Sequence, residues 1–511
     1  MDGPRKPIRW GGAAAIAIMA VIALVVVWLR DVSQQHHVLG TGIVLIVASF
    51  LLFLWAILLS RLPGRVRLFI FLGGAAAIAF CVSSLEIKGV TGDLIPIIRF
   101  KGAKPKVVAT SAASLITTNA ETSEFPQFLG PNRNGVIKRI VVNTNWNETP
   151  PELLWRRPVG SGWSGFAISA GLAITQEQQD NRELVNAYDL RNGAPKWSHS
   201  DESRYFTTLG GEGPRTTPTI VGGRVFTLGP TGILNCLDRG TGKLIWTHNL
   251  AREYSAKVPE WGFAGSPLYF NGQVIVCAGG HPNRTLVAHD AETGKFLWGG
   301  GDDSAGYSSP TSLTLAGVEQ IVLFTHKFVS GFDPQKGTPL WSHPWPPSHP
   351  HVTMPIQIGT NQLLVSSGYG YGSELLEIAK SNEVFRASRV WKSNRLKSKF
   401  ANLIFYNGFV YGLDDGILAC LDPATGERKW HGERHGHGQM LLVGDIILLM
   451  AENGEILLID PSPESERVVA SFRAFKSKTW NPPALAGSFL LVRNDLEAAC
   501  FKLPVSAGIS E

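Results

Sequence analysis

The sequence predicts an all-β domain, an eight-bladed β-propeller, preceded by three transmembrane α-helices. Three observations lead there. Three apolar, nearly uncharged stretches open the chain, a strand-Asp-turn-Gly-strand-Trp unit recurs through the rest, and an apolar hairpin precedes each copy of that unit.

Residues 13–29, 41–60 and 68–85 each come close to the ~20 residues that a helix needs to cross a bilayer. Arg5, Lys6 and Arg9 ahead of the first stretch would also suit a signal peptide. Two further spans follow, however, and no small-x-small cleavage pattern precedes Gln34, so a retained anchor is the better reading. Arg61, Arg65 and Arg67 sit between the second and third spans, whereas the first loop offers only Arg30 beside Asp31. By the positive-inside rule the N-terminus is cytoplasmic, and three spans place everything after about residue 86 on the far side. The expected setting is a bacterial inner (cytoplasmic) membrane, crossed several times, with the propeller on the periplasmic side. Residues 1–86 form the anchor and 87–124, with Lys101, Lys104, Lys106 and a Ser/Thr/Ala-rich run, a juxtamembrane segment and tether. Residues 125–504 form the propeller and 505–511 a tail.

Charge follows the same division. Residues 1–99 carry nine Lys/Arg against four Asp/Glu, or +5 of the total +6, so the basic pI reports membrane flanks. The remainder is nearly neutral, which argues against nucleic acid as a partner, because phosphate binding needs a concentrated Lys/Arg surface. The expected partners are the lipid bilayer and an extracytoplasmic protein.

After the tether the repeat runs LVNAYDLRNGAPKW (184–197), LNCLDRGTGKLIW (234–246), LVAHDAETGKFLW (286–298), VSGFDPQKGTPLW (329–341) and LACLDPATGERKW (418–430). Two degenerate copies fill the gaps: residues 375–391 keep the strand and Trp391 without the Asp-Gly turn, and 457–469 keep Asp460 without the Trp. A spacing of roughly 40–50 residues between the aspartates is that of propeller blades. In D-x-x-T-G the glycine supplies the left-handed conformation that a short bulged hairpin requires, and the Asp caps the turn backbone. The tryptophans, Trp155, Trp197, Trp246, Trp298, Trp341, Trp391 and Trp430, then sit on outermost strands, where a large amphipathic ring packs between blades.

Inner hairpins such as TPTIVGGRVFTLG (217–229), SPLYFNGQVIVCAG (266–279) and PALAGSFLLV (483–492) bring the count to eight units. The last unit has only three strands of its own, while ELLWRRPVG (152–160) supplies a solitary Trp155 with no strands before it. Assigning 152–158 as the outermost strand of the last blade closes the ring and leaves no open edge.

Aligning the inner strands places Trp163, Arg215, Ala264, Tyr307, Val352, Phe400, His437 and Trp480 three residues before each strand opens. In that register all eight line one mouth of the central channel. Trp163, Arg215, Tyr307, Phe400, His437 and Trp480 are the candidate ligand-binding residues, aromatic and cationic groups suited to a planar or anionic ligand. The alternative is that they plug the channel and cap the strands. The histidines of HGERHGHG (His431, His435, His437) and SHPWPPSHPH (His343, His349, His351) have ligand-like spacing. Their placement between blades reads instead as solvated loop or surface epitope, with Glu433 the one added carboxylate and no metal site expected. Cys236, Cys420 and Cys500 occupy the small-residue slot that Ala187, Ala288 and Gly331 fill elsewhere, so buried structural thiols are expected; Cys277 lies on an inner hairpin and Cys81 in the third span. No Ser/His/Asp order, Walker loop, GxGxxG after a strand or HExxH is present, so no catalytic residue is assigned.

The unit strand-L-D-x-x-T-G-x-x-x-W resembles the pyrroloquinoline-quinone (PQQ) repeat shared by quinoprotein dehydrogenases and the assembly scaffold BamB. FPQFLGPNRNGV (125–136), EGPRTTPTI (212–220), WGFAGSPL (261–268) and KTWNPPALAG (478–487) are similar to bacterial PQQ-binding-like propeller repeat proteins. The likeness covers about residues 125–504 and implies the fold, while enzymes and scaffolds alike carry the repeat. The dehydrogenases imply PQQ beside a calcium ion, often against a vicinal disulfide, with a catalytic Asp. This chain has no adjacent cysteines, and no Glu/Asn/Asp calcium set matches its positions. The expected function is therefore a protein-interaction or ligand-binding scaffold. The alternative is a PQQ-dependent dehydrogenase that oxidises alcohols or sugars and passes electrons to membrane quinone, as membrane-bound glucose dehydrogenases with helices ahead of a propeller do.

Overall fold

The computed structural model describes residues 8–30, 32–102, 110–111, 124–138 and 140–507. Arg5, Lys6, most of the tether and the last four residues of the tail lie outside them. The chain forms two compact units.

The first unit holds three apolar helices, α1 (Trp10–Leu29), α2 (Gln34–Leu54) and α3 (Gly64–Ser84), each long and apolar enough to cross a membrane. α2 continues as a π-helical turn, Trp55–Leu59. Each helix begins three to seven residues before the apolar stretch that marks it, because helical hydrogen bonding runs on through polar flanks such as Gln34–Gln35–His36 that hydropathy does not count. A two-stranded hairpin, Leu85–Val90 with Pro96–Phe100, follows α3.

The second unit is a propeller of eight sheets, each built on four antiparallel strands. Seven blades run from the innermost to the outermost strand in chain order, from Ala167–Ser169 in the first to Arg467–Arg473 in the seventh. The eighth takes Ala484–Ala486, Phe489–Arg493 and Glu497–Lys502 from the end of the domain and its outermost strand, Glu152–Pro158, from the beginning. Thr110–Ser111 adds a short fifth strand outside it. The fifth blade, which lacks the Asp-Gly turn, has a longer outer hairpin, Gly372–Ser381 with Val384–Ser393, turned through Asn382 and Glu383 at positive φ.

The recurring residues form one device. In all eight blades the ladder between the third and outermost strands slips by one residue, a bulge that leaves Lys196, Ile245, Leu297 and their counterparts unpaired. The residue after the bulge is the tryptophan, and its cross-strand partner is small in six of seven cases: Ala187, Cys236, Ala288, Gly331, Cys420 and Cys500, with Leu375 in the irregular blade. The indole then reaches the neighbouring blade. Nε1 of Trp155, Trp197, Trp246, Trp391 and Trp430 donates to a turn carbonyl of the next blade, those of Leu190, Arg239, Ala291, Pro423 and Ser462, at 2.8–3.2 Å. Trp298 and Trp341 use Gln273 and Gln320 of their own blades instead.

The turn glycine completes the lock. Gly193 takes φ +70°, and a Cβ there would stand 2.7 Å from the Trp155 ring; Gly294 and Gly426 meet Trp246 and Trp391 in the same way. The Asp fixes the turn from the other side, Asp238 Oδ1 accepting from both the backbone N–H and the hydroxyl of Thr241. Those hydrogen bonds hold the Asp238 carboxylate below its usual range. The four propeller thiols are buried and free, and burial pushes Cys236 and Cys277 up to about 12. At neutral pH they behave as small hydrophobes.

One buried acid makes stability depend on pH. Glu183, on the third strand of the first blade, lies against Gly229 with Oε2 unpartnered; burial first and then the nearby Asp201 push it up to about 8. A carboxyl raised in the folded state contributes stability in full below its unfolded range, and that contribution is lost as pH rises towards 8. Glu183→Gln should therefore raise the melting temperature at pH 8 relative to wild type by more than at pH 4.5. Calorimetry at the two pH values checks it, and equal shifts would contradict the assignment.

Candidate functional site

The loops entering the innermost strands carry the eight residues aligned by sequence, six of them half-buried and two, Trp163 and His437, buried. The structure brings four of the candidates into one aromatic group: Trp163 and Trp480 rings lie 4.9 Å apart, Phe400 and Trp480 5.1 Å, Phe400 and His437 5.3 Å. Lys478 places its ammonium 4.5 Å and 3.9 Å from the Trp163 and Trp480 rings, a cation–π arrangement over both. The carboxylate of Glu452 accepts from Trp480 Nε1 at 2.9 Å and from the His437 backbone N–H at 3.0 Å.

Arg215 and Tyr307 belong to a second group. The Arg215 guanidinium lies 5.3 Å from the Tyr205 ring, and Tyr307 packs 5.3 Å from Trp261. Burial pulls Arg215 down to about 10, still protonated at neutral pH, and pushes Tyr307 up to about 12. Sequence reasoning missed Lys478, Trp261, Glu452 and Tyr205. The first two stand two and three residues ahead of an aligned position, so widening the window would have found them; Glu452 follows the second strand of its blade, and Tyr205 sits in an insertion with no periodic signal.

Beneath the mouth a polar belt joins the blades. Gly165 N–H donates to Thr217 Oγ1 at 3.2 Å, Thr217 N–H to Ser266 Oγ at 2.9 Å, Ser266 N–H to Ser309 Oγ at 2.9 Å and Met354 N–H to Asn402 Oδ1 at 2.8 Å. Gln439 Nε2 and Asn481 Nδ2 continue it through the carbonyls of Phe400, Gly162 and Ser164. Among the described residues no three His, Cys, Asp or Glu side chains converge as metal ligands.

Most of the histidines in the two histidine-rich stretches are packed rather than solvated. His351 is buried, stacked 4.3 Å from the Phe324 ring, with its ring nitrogens on the carbonyls of Thr325 and Pro346. His349 lies 3.0 Å from Ser367 Oγ, His343 2.8 Å from the buried Glu374, and His435 2.6 Å from Glu466. His431 alone is exposed, 3.2 Å from Asp414. The loop-and-surface reading of SHPWPPSHPH and HGERHGHG is thereby corrected for all but the exposed His431: His343 and His431 lie on the outermost strands Pro339–Pro344 and Arg428–Arg434, and His343, His349, His351 and His435 are packed against polar groups at or between blades.

Residues 125–137 run over the innermost strands. Phe125 bridges to Ile168, Ile220 N–H donates to the Pro126 carbonyl, and Val136–Ile137 pairs in parallel with Leu442 and Val443. Arg133, at φ +52° and 4% exposed, reaches inward to the carbonyls of Ser266, Pro267 and Pro310 at 2.9–3.0 Å and to Gln127 Oε1 at 3.2 Å. Its hydrogen-bond partners are thus three carbonyls and one carboxamide, and desolvation lowers it to about 9.

Residues 181–432 match the family model described as outer membrane protein assembly factor BamB. Among characterised proteins, the quinohemoprotein alcohol dehydrogenase of Comamonas testosteroni is 24% identical over 51% of this chain and 38% of its own length. The dehydrogenase subunit of the quinone-type alcohol dehydrogenase of Acetobacter aceti is 26% identical over 44% and 33%. The chain thus aligns with about a third of the length of these relatives. Among solved structures, a europium-containing methanol dehydrogenase superposes with a TM-score of 0.55 at 14% identity, covering 74% of this chain and 91% of that one. The Comamonas testosteroni enzyme superposes with a TM-score of 0.57 at 13% identity, covering 76% and 82%. The domain is a PQQ-repeat propeller related to quinoprotein alcohol dehydrogenases and to BamB.

Proposed function

We propose that the chain is a membrane-anchored, extracytoplasmic propeller that binds a ligand or a protein partner at the channel mouth and acts as a scaffold. The observation that carries this reading is the aromatic group: Trp163 and Trp480 under the Lys478 ammonium, Phe400 against Trp480, and a second group that holds Arg215 and Tyr307. Flat rings and cations suit a planar anion or a partner's acidic and aromatic side chains. The residues present do not fit a calcium-held quinone. Glu452, the carboxylate against the aromatic group, directs its two oxygens at Trp480 and His437, and the Asn402 oxygen is held by Met354 N–H; Asn481 Oδ1 is left as an orphaned buried amide oxygen, short of the several carboxylate and carbonyl oxygens that a calcium ion takes.

A second reading, PQQ-dependent oxidation of alcohols or sugars with electrons passed to membrane quinone, is favoured by the names of the relatives. One experiment separates the two. Purified full-length chain in detergent is titrated with PQQ and Ca²⁺ while tryptophan fluorescence and dye reduction with alcohols or sugars are followed. Dye reduction would replace the first reading with the second. Saturable quenching without turnover, weakened about tenfold in Trp480→Ala or Arg215→Ala, would support the first. Equal quenching in wild type and both variants would remove the mouth as the site.

A further inference from the structure

A second, separate cleft opens where residues 125–137 leave the innermost strands of the fourth, fifth and sixth blades uncovered. It measures about 250 Å³ and is lined by Asn132, Arg133, Asn134, Gln357 and Asn402 against an apolar wall that includes Ile356 and Phe405. No carboxylate lines it. Asn402 is 6% exposed, and its side-chain oxygen is committed to Met354 N–H, which turns the amide nitrogen into a donor with no protein partner among the described residues. Asn134 likewise gives its oxygen to Val136 N–H and keeps its amide donors. Arg133 adds a buried positive charge: its Nε–H makes no hydrogen bond, and no carboxylate stands within ion-pairing distance among the described residues. A buried cation without a counter-ion, with amide donors at its side and no acceptor carboxylate in the lining, is a site short of one anion.

We propose that this cleft binds a carboxylate carried on an apolar body, the carboxylate set by Asn402 and Asn134 within the field of Arg133 and the apolar part against Ile356 and Phe405. A carboxylate suits better than a phosphate dianion because the donors are neutral amides and one already-engaged guanidinium. The volume admits one short side chain or a small acid of that kind. This reading is independent of the aromatic group, since none of Trp163, Phe400, His437, Lys478 and Trp480 lines the cleft.

The test uses the full-length chain in detergent and saturation-transfer NMR with four probes: 4-phenylbutyrate, the neutral 4-phenylbutanol, a pentapeptide ending in phenylalanine with a C-terminal carboxylate, and the same peptide amidated. The acids should bind about tenfold or more tightly than their neutral counterparts, as expected when a charge-assisted hydrogen bond is lost. Asn402→Asp keeps the oxygen that holds Met354 N–H but sets a negative charge in the cleft, so affinity for the acids should fall by about tenfold or more while the alcohol is little affected. Asn132→Asp, on the exposed rim, should weaken the acids by a few-fold without touching the fold. If the peptide acid outbinds phenylbutyrate the natural source is a polypeptide C-terminus, and if the two bind alike it is a small organic acid. Equal affinity for acids and neutral probes, or unchanged affinity in both variants, would overturn the proposal.

Discussion

Trp155→Ala is expected to destabilise the whole propeller by about 3–5 kcal/mol, the range for removing a fully buried tryptophan. Three features make it the most damaging blade tryptophan to lose. It is 1% exposed, its Nε1 holds the Leu190 carbonyl at 2.9 Å, and its strand joins the chain's first propeller segment to its last by pairing with Glu497–Lys502. The removed ring also opens a void against the Gly193 turn, whose backbone packs directly on it. Denaturant unfolding followed by far-ultraviolet circular dichroism should show the entire β signal shifting to lower midpoint, since a ring opened at one seam loses support on both sides. Trp430→Ala, in a blade closed by its own four strands, should cost less; equal losses would mean that closure adds nothing beyond one more blade contact.

Arg133→Met should cost about 3 kcal/mol or more, because it leaves the buried carbonyls of Ser266, Pro267 and Pro310 without their donor, at roughly 1–3 kcal/mol per unsatisfied group less what water recovers. Here the loss should begin locally. Limited proteolysis should cut within 125–137 faster than in wild type while the blades stay protected, and a variant as resistant as wild type would show that the strand pairings of Phe125 and Val136–Ile137 hold the segment unaided.

The blades were legible in the sequence because one steric problem recurs around the ring and most blades solve it with nearly the same residues. A bulge, a tryptophan, a small partner and a left-handed glycine leave a fixed spacing, and even Cys236, Cys420 and Cys500 could be assigned from that register. The aromatic mouth was half legible for the same reason: Trp163, Phe400, His437 and Trp480 share a position in the repeat, whereas Lys478, Glu452 and Tyr205 enter from loops of varying length. The channel segment was not legible as such. Asn132, Arg133 and Asn134 stand in a stretch whose only signal is its likeness to other propeller repeat proteins, and only the carbonyls of two distant blades show that the arginine points inward. The inward histidines were misjudged on similar grounds, since loop composition says where the backbone bends and nothing of which side its rings take.

The seam in the eighth blade also sets a schedule. Arg156 and Glu497, which pair across it, are 341 residues apart in sequence. At ribosomal rates of about 5–20 residues per second, the strand carrying Leu153, Leu154 and Trp155 waits roughly 20–70 s between its own synthesis and the arrival of its partner. Throughout that interval a sticky, unpaired edge is presented while seven other blades form behind it. The last step of assembly is thus a capture between the two ends of the domain, and a holdase for extended apolar strands would act on that waiting strand.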